Sequence, residues 1–280
     1  MKTLSNIKKD LEFNSGLSSL IEALKTIAVA QFRTLEQKLT TFKELLLTIE
    51  SFFEHIDISQ VHHQFLNPKN QSQLVVAITS DTGLLGGLNM QVITRALSEL
   101  GALPGKLVVV GERGKVYARE TGVTFVYFSG INDEQRQAQA KQLRDYLLEK
   151  ILEGSFGGLK VIYPHPVSFT VQRVETVSLL PYQPRLVNNV NAGNMSGVIL
   201  ESRPEDLIEY LVYAWIGQKL YEIFGLSRLA EFAARFVHLE GSCQRIKEMD
   251  AKIRLEYFRV RHELIDRNMR ELFAARLTFN

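Results

Sequence analysis

The last third of the chain constrains the fold most. Beyond Pro204 there is no proline, and apolar residues recur on one seam: Leu229, Phe232, Phe236, Leu239, Cys243, Ile246, Met249, Ile253, Tyr257, Val260 and Leu264. Every step is three or four, and 35 residues over ten steps average 3.5, the period of a left-handed coiled coil. Ser202 and Glu205 have capping-box spacing, and Pro204 suits a first helical turn, so a start is signalled there. A continuous helix over this span is roughly 110 Å long at 1.5 Å rise per residue. A 100-residue domain is only about 26 Å across. A single globular core cannot cover such a seam, so a second helix must.

That partner stands at the other end of the chain. Residues 1–58 read as one long helix in which Leu35, Leu39, Phe42, Leu46, Ile49, Phe53 and Ile56 alternate steps of four and three. Leu4, Ile7, Leu11, Leu17, Leu20, Leu24 and Ile27 continue the seam upstream, less regularly. Asn14, Ser15 and Gly16 weaken that half, since a helix-interior glycine costs roughly 1 kcal/mol relative to alanine. The expectation is an antiparallel coiled coil of the two termini. The alternative is two amphipathic helices packed on a common core.

Between the ends the pattern changes. His62, His63, Pro68, Lys69 and Asn70 read as a polar linker. Leu74–Ile78 and Leu107–Val110 are short continuous apolar runs, as expected of strands buried on both faces. Further strands are expected over Val123–Phe128, Leu159–Tyr163 and Val167–Leu180. Helices are expected over Met90–Leu100, Lys115–Glu120 and Asp133–Glu153. Strand and helix in alternation predict a mostly parallel sheet with helices around it. Tyr182–Leu200, with Pro184, Gly193, Gly197 and four asparagines, reads as loop or an irregular edge. The fold class is thus α/β: a Rossmann-like domain of residues 71–200 inserted between coiled-coil helices of residues 1–58 and 202–280.

Composition narrows the function. No apolar run approaches the roughly 20 residues of a membrane span, and the N-terminus carries no signal-peptide apolar region, while Asp10 and Glu12 argue against a transit peptide. A net charge of +2 does not predict nucleic-acid binding. The one cysteine, Cys243, excludes an internal disulfide and sits on the seam as a small core residue. The six histidines show no metal-ligand spacing. Thr79–Asn89, TSDTGLLGGLN, lies where phosphate loops lie, but it has neither G-x-G-x-x-G nor a Walker lysine. Its glycines, Gly83, Gly86 and Gly87, read as permitting a turn and close packing. There is no G-x-S-x-G elbow. The residues therefore define no catalytic, cofactor or metal site. From Ala251 to Arg276, seven basic residues face four acidic ones, which reads either as a solvated face or as a surface for an acidic partner.

Several stretches carry a resemblance. Thr79–Asn89 resembles the TSDxGLCGGxN motif of the γ subunits of F-type ATP synthases, with Leu85 in place of the cysteine. Leu20–Ala28, LIEALKTIA, is similar to the family's ITKAMKMVA. Tyr163–Pro181 resembles the family strand that ends in LLP, Ala230–Phe236 resembles SEHAARM, and Leu255–His262 resembles LxYNRARQ. The resemblance spans nearly the whole chain. The family's pattern is broken where His262, Asp266 and Asn268 replace a glutamine, a threonine and a glutamate, and where Gly241–Ile246 replaces NAtDNA. The chloroplast-type regulatory cysteine pair is missing. The chain reads as a divergent branch, such as the γ of an alternate ATPase.

The resemblance implies a rotor shaft that couples ion flow to ATP synthesis or hydrolysis, is not itself an enzyme and needs no cofactor. It implies partners in the α and β subunits of the F1 hexamer, the ε subunit and the membrane c-ring. Its place would be peripheral, on the cytoplasmic face of a bacterial membrane. Leu24, Lys25, Arg33, Arg235, Arg261 and His262 are the expected hexamer contacts. Asp81, Gly83, Gly86, Gly87 and Asn89 are the expected structural turn, and Glu201 is expected near the foot. The rival expectation is an α/β enzyme or adaptor with coiled-coil arms and no rotary assembly.

Overall fold

The computed structural model describes residues 3–39, 43–53, 61–101, 103–183 and 202–278. In order the elements are α1 (Leu4–Leu39), α2 (Lys43–Phe53), β1 (Gln73–Ile78), α3 (Leu88–Leu100), β2 (Gly105–Val110), α4 (Glu112–Glu120), β3 (Phe125–Phe128), α5 (Arg136–Leu152), β4 (Gly158–Pro166), β5 (Gln172–Leu180) and α6 (Pro204–Thr278). Two compact units share the chain: Gln31–Ala234 form one, and Met1–Ala30 with Arg235–Asn280 form the other. The expected loop over Tyr182–Leu200 falls outside the described residues from 184 onward, as does Glu201.

The larger unit is built on a five-stranded sheet of order β3-β2-β1-β4-β5. The first four strands are mutually parallel, and β5 runs antiparallel to β4. Strand β1 is buried at all six positions, as a central strand covered on both faces must be. Its side chains divide by parity. Val75 and Ala77 join Val92, Ile93 and Ala96 of α3 and Ala118 of α4. Leu74, Val76 and Ile78 join Leu143, Leu147 and Ile151 of α5 and Ile216, Leu220 and Phe224 of α6. The result is three layers, with α6 contributing to one core face.

Several expected boundaries move. The strand expected over Val167–Leu180 begins at Gln172, because residues 167–171 form the tight connection of a hairpin in which Val167 N–H donates to the Val171 carbonyl at 3.0 Å. So short a loop cannot make a parallel crossover. Helix α4 starts three residues before the expected Lys115, directly after Gly111, whose φ of +100° sets the turn. The first strand pairing after α4 begins at Phe125, not Val123. Helix α6 opens with Leu207 N–H donating to the Arg203 carbonyl at 3.1 Å, which makes Arg203, not Ser202, the flanking residue. The polar linker is not wholly solvated: Val61, Phe65 and Leu66 are buried. Phe65 N–H donates to His63 Nδ1 at 3.2 Å.

The described N-terminal residues are helical over Leu4–Leu39 and Lys43–Phe53, and the expected seam residues Phe42 and Ile56 lie outside the described residues. Leu46 and Phe53 of α2 enter the common core with α6 and the sheet, as the common-core alternative expects for that stretch. Phe32 and Leu35 of α1 pack with Leu229, Phe232 and Ala233 of α6.

The smaller unit is the coiled pair. Ile7, Asn14, Ile21 and Ala28 are its buried positions on α1, each seven residues from the next. Ile21 packs with Leu239 and Cys243, supported by Leu17, Leu24 and Ile246. The Cys243 thiol is fully buried and donates to Glu22 Oε1 at 3.1 Å. That bond first, and Lys25 next, hold the Glu22 carboxyl below the usual carboxylate range.

Four expected seam residues leave the seam, among them Leu264, 45% exposed. Leu20 and Ile27 are 56% and 52% exposed, and Met249 is 53% exposed. Asp250, half-buried, takes the position expected of Met249, which keeps the steps at three and four from Leu239 to Val260 without a fault. Asn14, read as a weak point, lies in the seam at 6% exposure, and its Nδ2 has no hydrogen-bond partner among the described residues. An unsatisfied buried amide costs about 1–3 kcal/mol. Asn14→Leu is therefore expected to raise stability by about 1–2 kcal/mol, read as a higher thermal midpoint of the purified chain. A lower midpoint would show that the amide is satisfied in solution.

Candidate functional site

The turn after β1 holds a dense polar network among the described residues of the larger unit. Thr79 Oγ1 donates to the Val110 carbonyl at 2.6 Å and accepts from Gly114 N–H at 3.0 Å, so β1, β2 and α4 meet at one hydroxyl. Asn89, at the start of α3, closes the turn: its Oδ1 accepts Ser80 N–H at 3.2 Å and its Nδ2 donates to Ser80 Oγ at 2.8 Å. Asp81 Oδ1 accepts Glu112 N–H at 2.9 Å in the first turn of α4, where a carboxylate also faces the positive helix end. Leu84 and Gly86 hold positive φ, 66° and 62°. Gly83 leaves a Cβ position 3.1 Å from the Arg113 guanidinium, whereas Gly87 leaves one with only Gln91 Nε2, at 3.8 Å.

The turn is tied to α6. Thr82 Oγ1 donates to Glu231 Oε1 at 3.1 Å. The other oxygen of Glu231 takes Arg228 Nη1 at 2.6 Å. Arg228 reaches across to Asp133, with Nε and Nη2 at 3.3 and 3.1 Å from its two oxygens, and lies over the Phe232 ring, 4.7 Å from its centroid. Burial by itself would pull the Arg228 guanidinium down. The Glu231 and Asp133 carboxylates more than reverse this and hold it above the usual arginine range. The latch Thr82–Glu231–Arg228–Asp133 thus joins the β1 turn, the segment after β3 and the long helix. Neither Arg228 nor Asp133 stands out in the sequence, and Glu231 does so only as part of Ala230–Phe236. The available signal was a charged pair three residues apart inside the apolar stretch Phe224–Ala234.

Beside the latch opens a polar cleft of about 650 Å³, lined by Asp81, Asp133, Glu134, Gln139 and Arg228 among others. It lies at the carboxyl end of the strands, where α/β sheets bind ligands. Its acidic lining does not favour phosphate, and Asp81 and Asp133 are already engaged with Glu112 N–H and Arg228. Among the described residues no group of three or more His, Cys, Asp or Glu is placed to hold a metal ion, and no helix is long and apolar enough to cross a membrane.

The expected partner contacts lie in both units. In the smaller one, Leu24 is half-buried beside the Ile21–Leu239–Cys243 cluster. Lys25 is paired with Glu240 and with Glu22, 3.1 Å away, and its ammonium stands 5.7 Å from the Phe236 ring centroid. Glu240 first, with Glu22, holds Lys25 above its usual range. Arg235 is half-buried, while Arg261 and His262 are exposed. In the larger unit Arg33 is exposed on α1.

A family model described as ATP synthase matches residues 3–276. The ATP synthase gamma chain of Symbiobacterium thermophilum is 26% identical over 96% of each chain, and that of Clostridium beijerinckii is 23% identical over 97% of this chain and 96% of its own. Among solved structures, a chain of the Euglena gracilis mitochondrial ATP synthase rotor superimposes with a TM-score of 0.66 at 16% identity, covering 94% of this chain and 98% of its own. The Euglena chain shares the fold described above. The chain belongs to the ATP synthase gamma-chain family.

Proposed function

We propose that the chain is the central rotor shaft of the F1 part of an F-type ATP synthase, coupling ion flow to ATP synthesis or hydrolysis on other subunits. It contributes no catalytic group of its own. Its partners are the α and β subunits, the ε subunit and the c-ring, and it is peripheral, on the cytoplasmic face of a bacterial membrane. In this reading residues 71–200 are the foot, with Glu201 beside it, and the terminal helices 1–58 and 202–280 form the shaft.

The observation that carries this reading, beyond family membership, is the end of α6. From Arg261 to Ala275 every residue is exposed, with Leu264, Ile265, Met269, Leu272 and Phe273 all at least 45% exposed. A terminal helix that leaves five large apolar side chains in water is built to be enclosed by something else. A sleeve of α and β subunits is such an enclosure. The shaft then acts by binding each subunit conformation differently as it turns, so that the catalytic sites differ in affinity at any instant.

Affinity capture of the tagged chain from its native membranes tests the assignment. Recovery of α and β subunits with ATP hydrolysis in the complex, and none in the chain alone, is the expected result. Recovery without any ATPase subunit, from cells that express them, would refute it. Arg235 and Arg261 are assigned to the hexamer contact. Arg235→Glu/Arg261→Glu is expected to cut ATP-driven ion pumping by about tenfold or more, while leaving the isolated chain folded by circular dichroism. Unchanged pumping would remove these two residues from the contact.

A further inference from the structure

Helix α5 of the sheet unit grips α6 through two guanidiniums that stability alone does not explain. Arg136 is 4% exposed and Arg144 9% exposed. Arg136 Nη2 donates to the Tyr221 hydroxyl at 2.9 Å while its guanidinium covers the Tyr221 ring, 4.5 Å from the centroid. Arg144 repeats the arrangement on Tyr213, with Nη2 2.6 Å from the hydroxyl and the guanidinium 3.7 Å from the ring centroid. The two arginines are eight residues apart on α5 and the two tyrosines eight apart on α6, in opposite chain direction. Midway between the tyrosines stands Gly217, where a Cβ would come 2.8 Å from Arg144 Nη1. The arginine therefore crosses α6 at a point where any larger residue would push its guanidinium aside.

Arg144 has a carboxylate, Asp145, at 2.8 Å. Arg136 has none within ion-pair distance among the described residues, and its Nε and Nη1 find no acceptor there. A buried guanidinium so poorly paired is unfavourable, and apolar side chains of similar volume are often as stable or more so. What it supplies instead is direction. Apolar packing is non-directional and can slip by small steps. A hydrogen bond that also covers a ring face weakens steeply with angle.

We propose that the Arg136–Tyr221 and Arg144–Tyr213 clamps are the torque-transmitting joint that fixes the sheet domain rotationally to the shaft helix. They pass torque between the two and prevent α5 from slipping along α6. The proposal rests on the shaft reading. It assigns a mechanical role to four residues outside the expected hexamer contact.

The test uses the assembled complex in vesicles. Tyr213→Phe/Tyr221→Phe removes both hydroxyls and keeps the rings. Arg136→Met/Arg144→Met removes both guanidiniums and keeps their apolar stems, so one pair of substitutions decides if the other fails to assemble. ATP hydrolysis and ATP-driven cation uptake are measured together, with a pH-sensitive dye and a sodium tracer, without and with an opposing gradient. The expected result is hydrolysis within about twofold of wild type and uptake per ATP reduced about fivefold against the gradient, but little changed without it. Uptake per ATP equal to wild type at every gradient would overturn the joint. So would a parallel fall in hydrolysis, uptake and complex yield, the signature of packing alone. Wild-type vesicles that hydrolyse ATP with no coupled uptake of either cation would overturn the shaft reading and the joint with it.

Discussion

Arg228→Met is expected to destabilise the sheet unit by about 3 kcal/mol, seen as a lower urea midpoint with an unchanged slope in the purified chain. The substitution takes the cation from a Glu231 side chain only 5% exposed. Breaking a buried pair on one side costs about 3–5 kcal/mol because a charge stays behind in a poor solvent. The lower figure applies here because the Asp133 end of the latch is 43% exposed and water can take it over. The double variant Arg228→Met/Glu231→Leu removes both charges and is expected to recover most of the loss. The difference between double and summed single effects measures the pair directly. A single-variant loss below about 1 kcal/mol would place the latch with ordinary surface ion pairs.

Gly111→Ala is the second large effect, about 3 kcal/mol or more, from strain and overpacking together. At Gly111 φ is +100°, and an added Cβ would lie 2.4 Å from the Thr79 carbonyl oxygen and 2.7 Å from its carbon. Those atoms are backbone at the end of the central strand, where Thr79 N–H donates to the Val110 carbonyl at 2.8 Å, so they cannot move aside cheaply. Gly87→Ala serves as the control. It lies within the recognisable motif, yet its Cβ would meet only a side-chain end at 3.8 Å. A loss of no more than about 1 kcal/mol is expected, the scale of an N-cap change. Thermal or urea unfolding of the two variants side by side checks the contrast. Equal losses would mean that the motif glycine is held by something other than packing.

The contrast marks how far the sequence reads. The strands were legible because β1 and β2 carry short continuous apolar runs rich in valine, and the coiled pair was legible because its period is 3.5. The antiparallel edge was not, because residues 167–171 hold no glycine or proline to mark the hairpin, and Val167, Phe169 and Val171 alternate with polar residues just as the strand after them does. The heptad on α1 was misread at Leu20 and Ile27. Hydrophobicity alone places them inside, but the turn angle fixed by Ile7, Ile21 and Ala28 leaves them on another face. Asn14 and Asp250 were missed for the converse reason: polar residues in a seam give no periodic signal. At the candidate site, Thr79–Asn89 could be singled out as a turn. Its anchors Arg228, Glu231 and Asp133 are distant in the chain and of types common on any surface, so only the fold brings them together.

The coiled pair has a consequence for how the chain is made. Glu22 and Cys243 meet across 221 residues of sequence. A ribosome adding about 5–20 residues per second needs roughly 10–45 s to bridge that gap. Throughout that time α1 has been synthesised and its seam is bare, and the sheet unit, which needs Ile216, Leu220 and Phe224 of α6, closes only near the end of it. The first helix made is the last to be covered. Because the sheet unit itself runs to Ala234 and takes core residues from α6, a newborn chain spends most of its synthesis with both units unfinished and the apolar face of α1 bare, and production in excess of its partners should draw on chaperones in proportion to that delay.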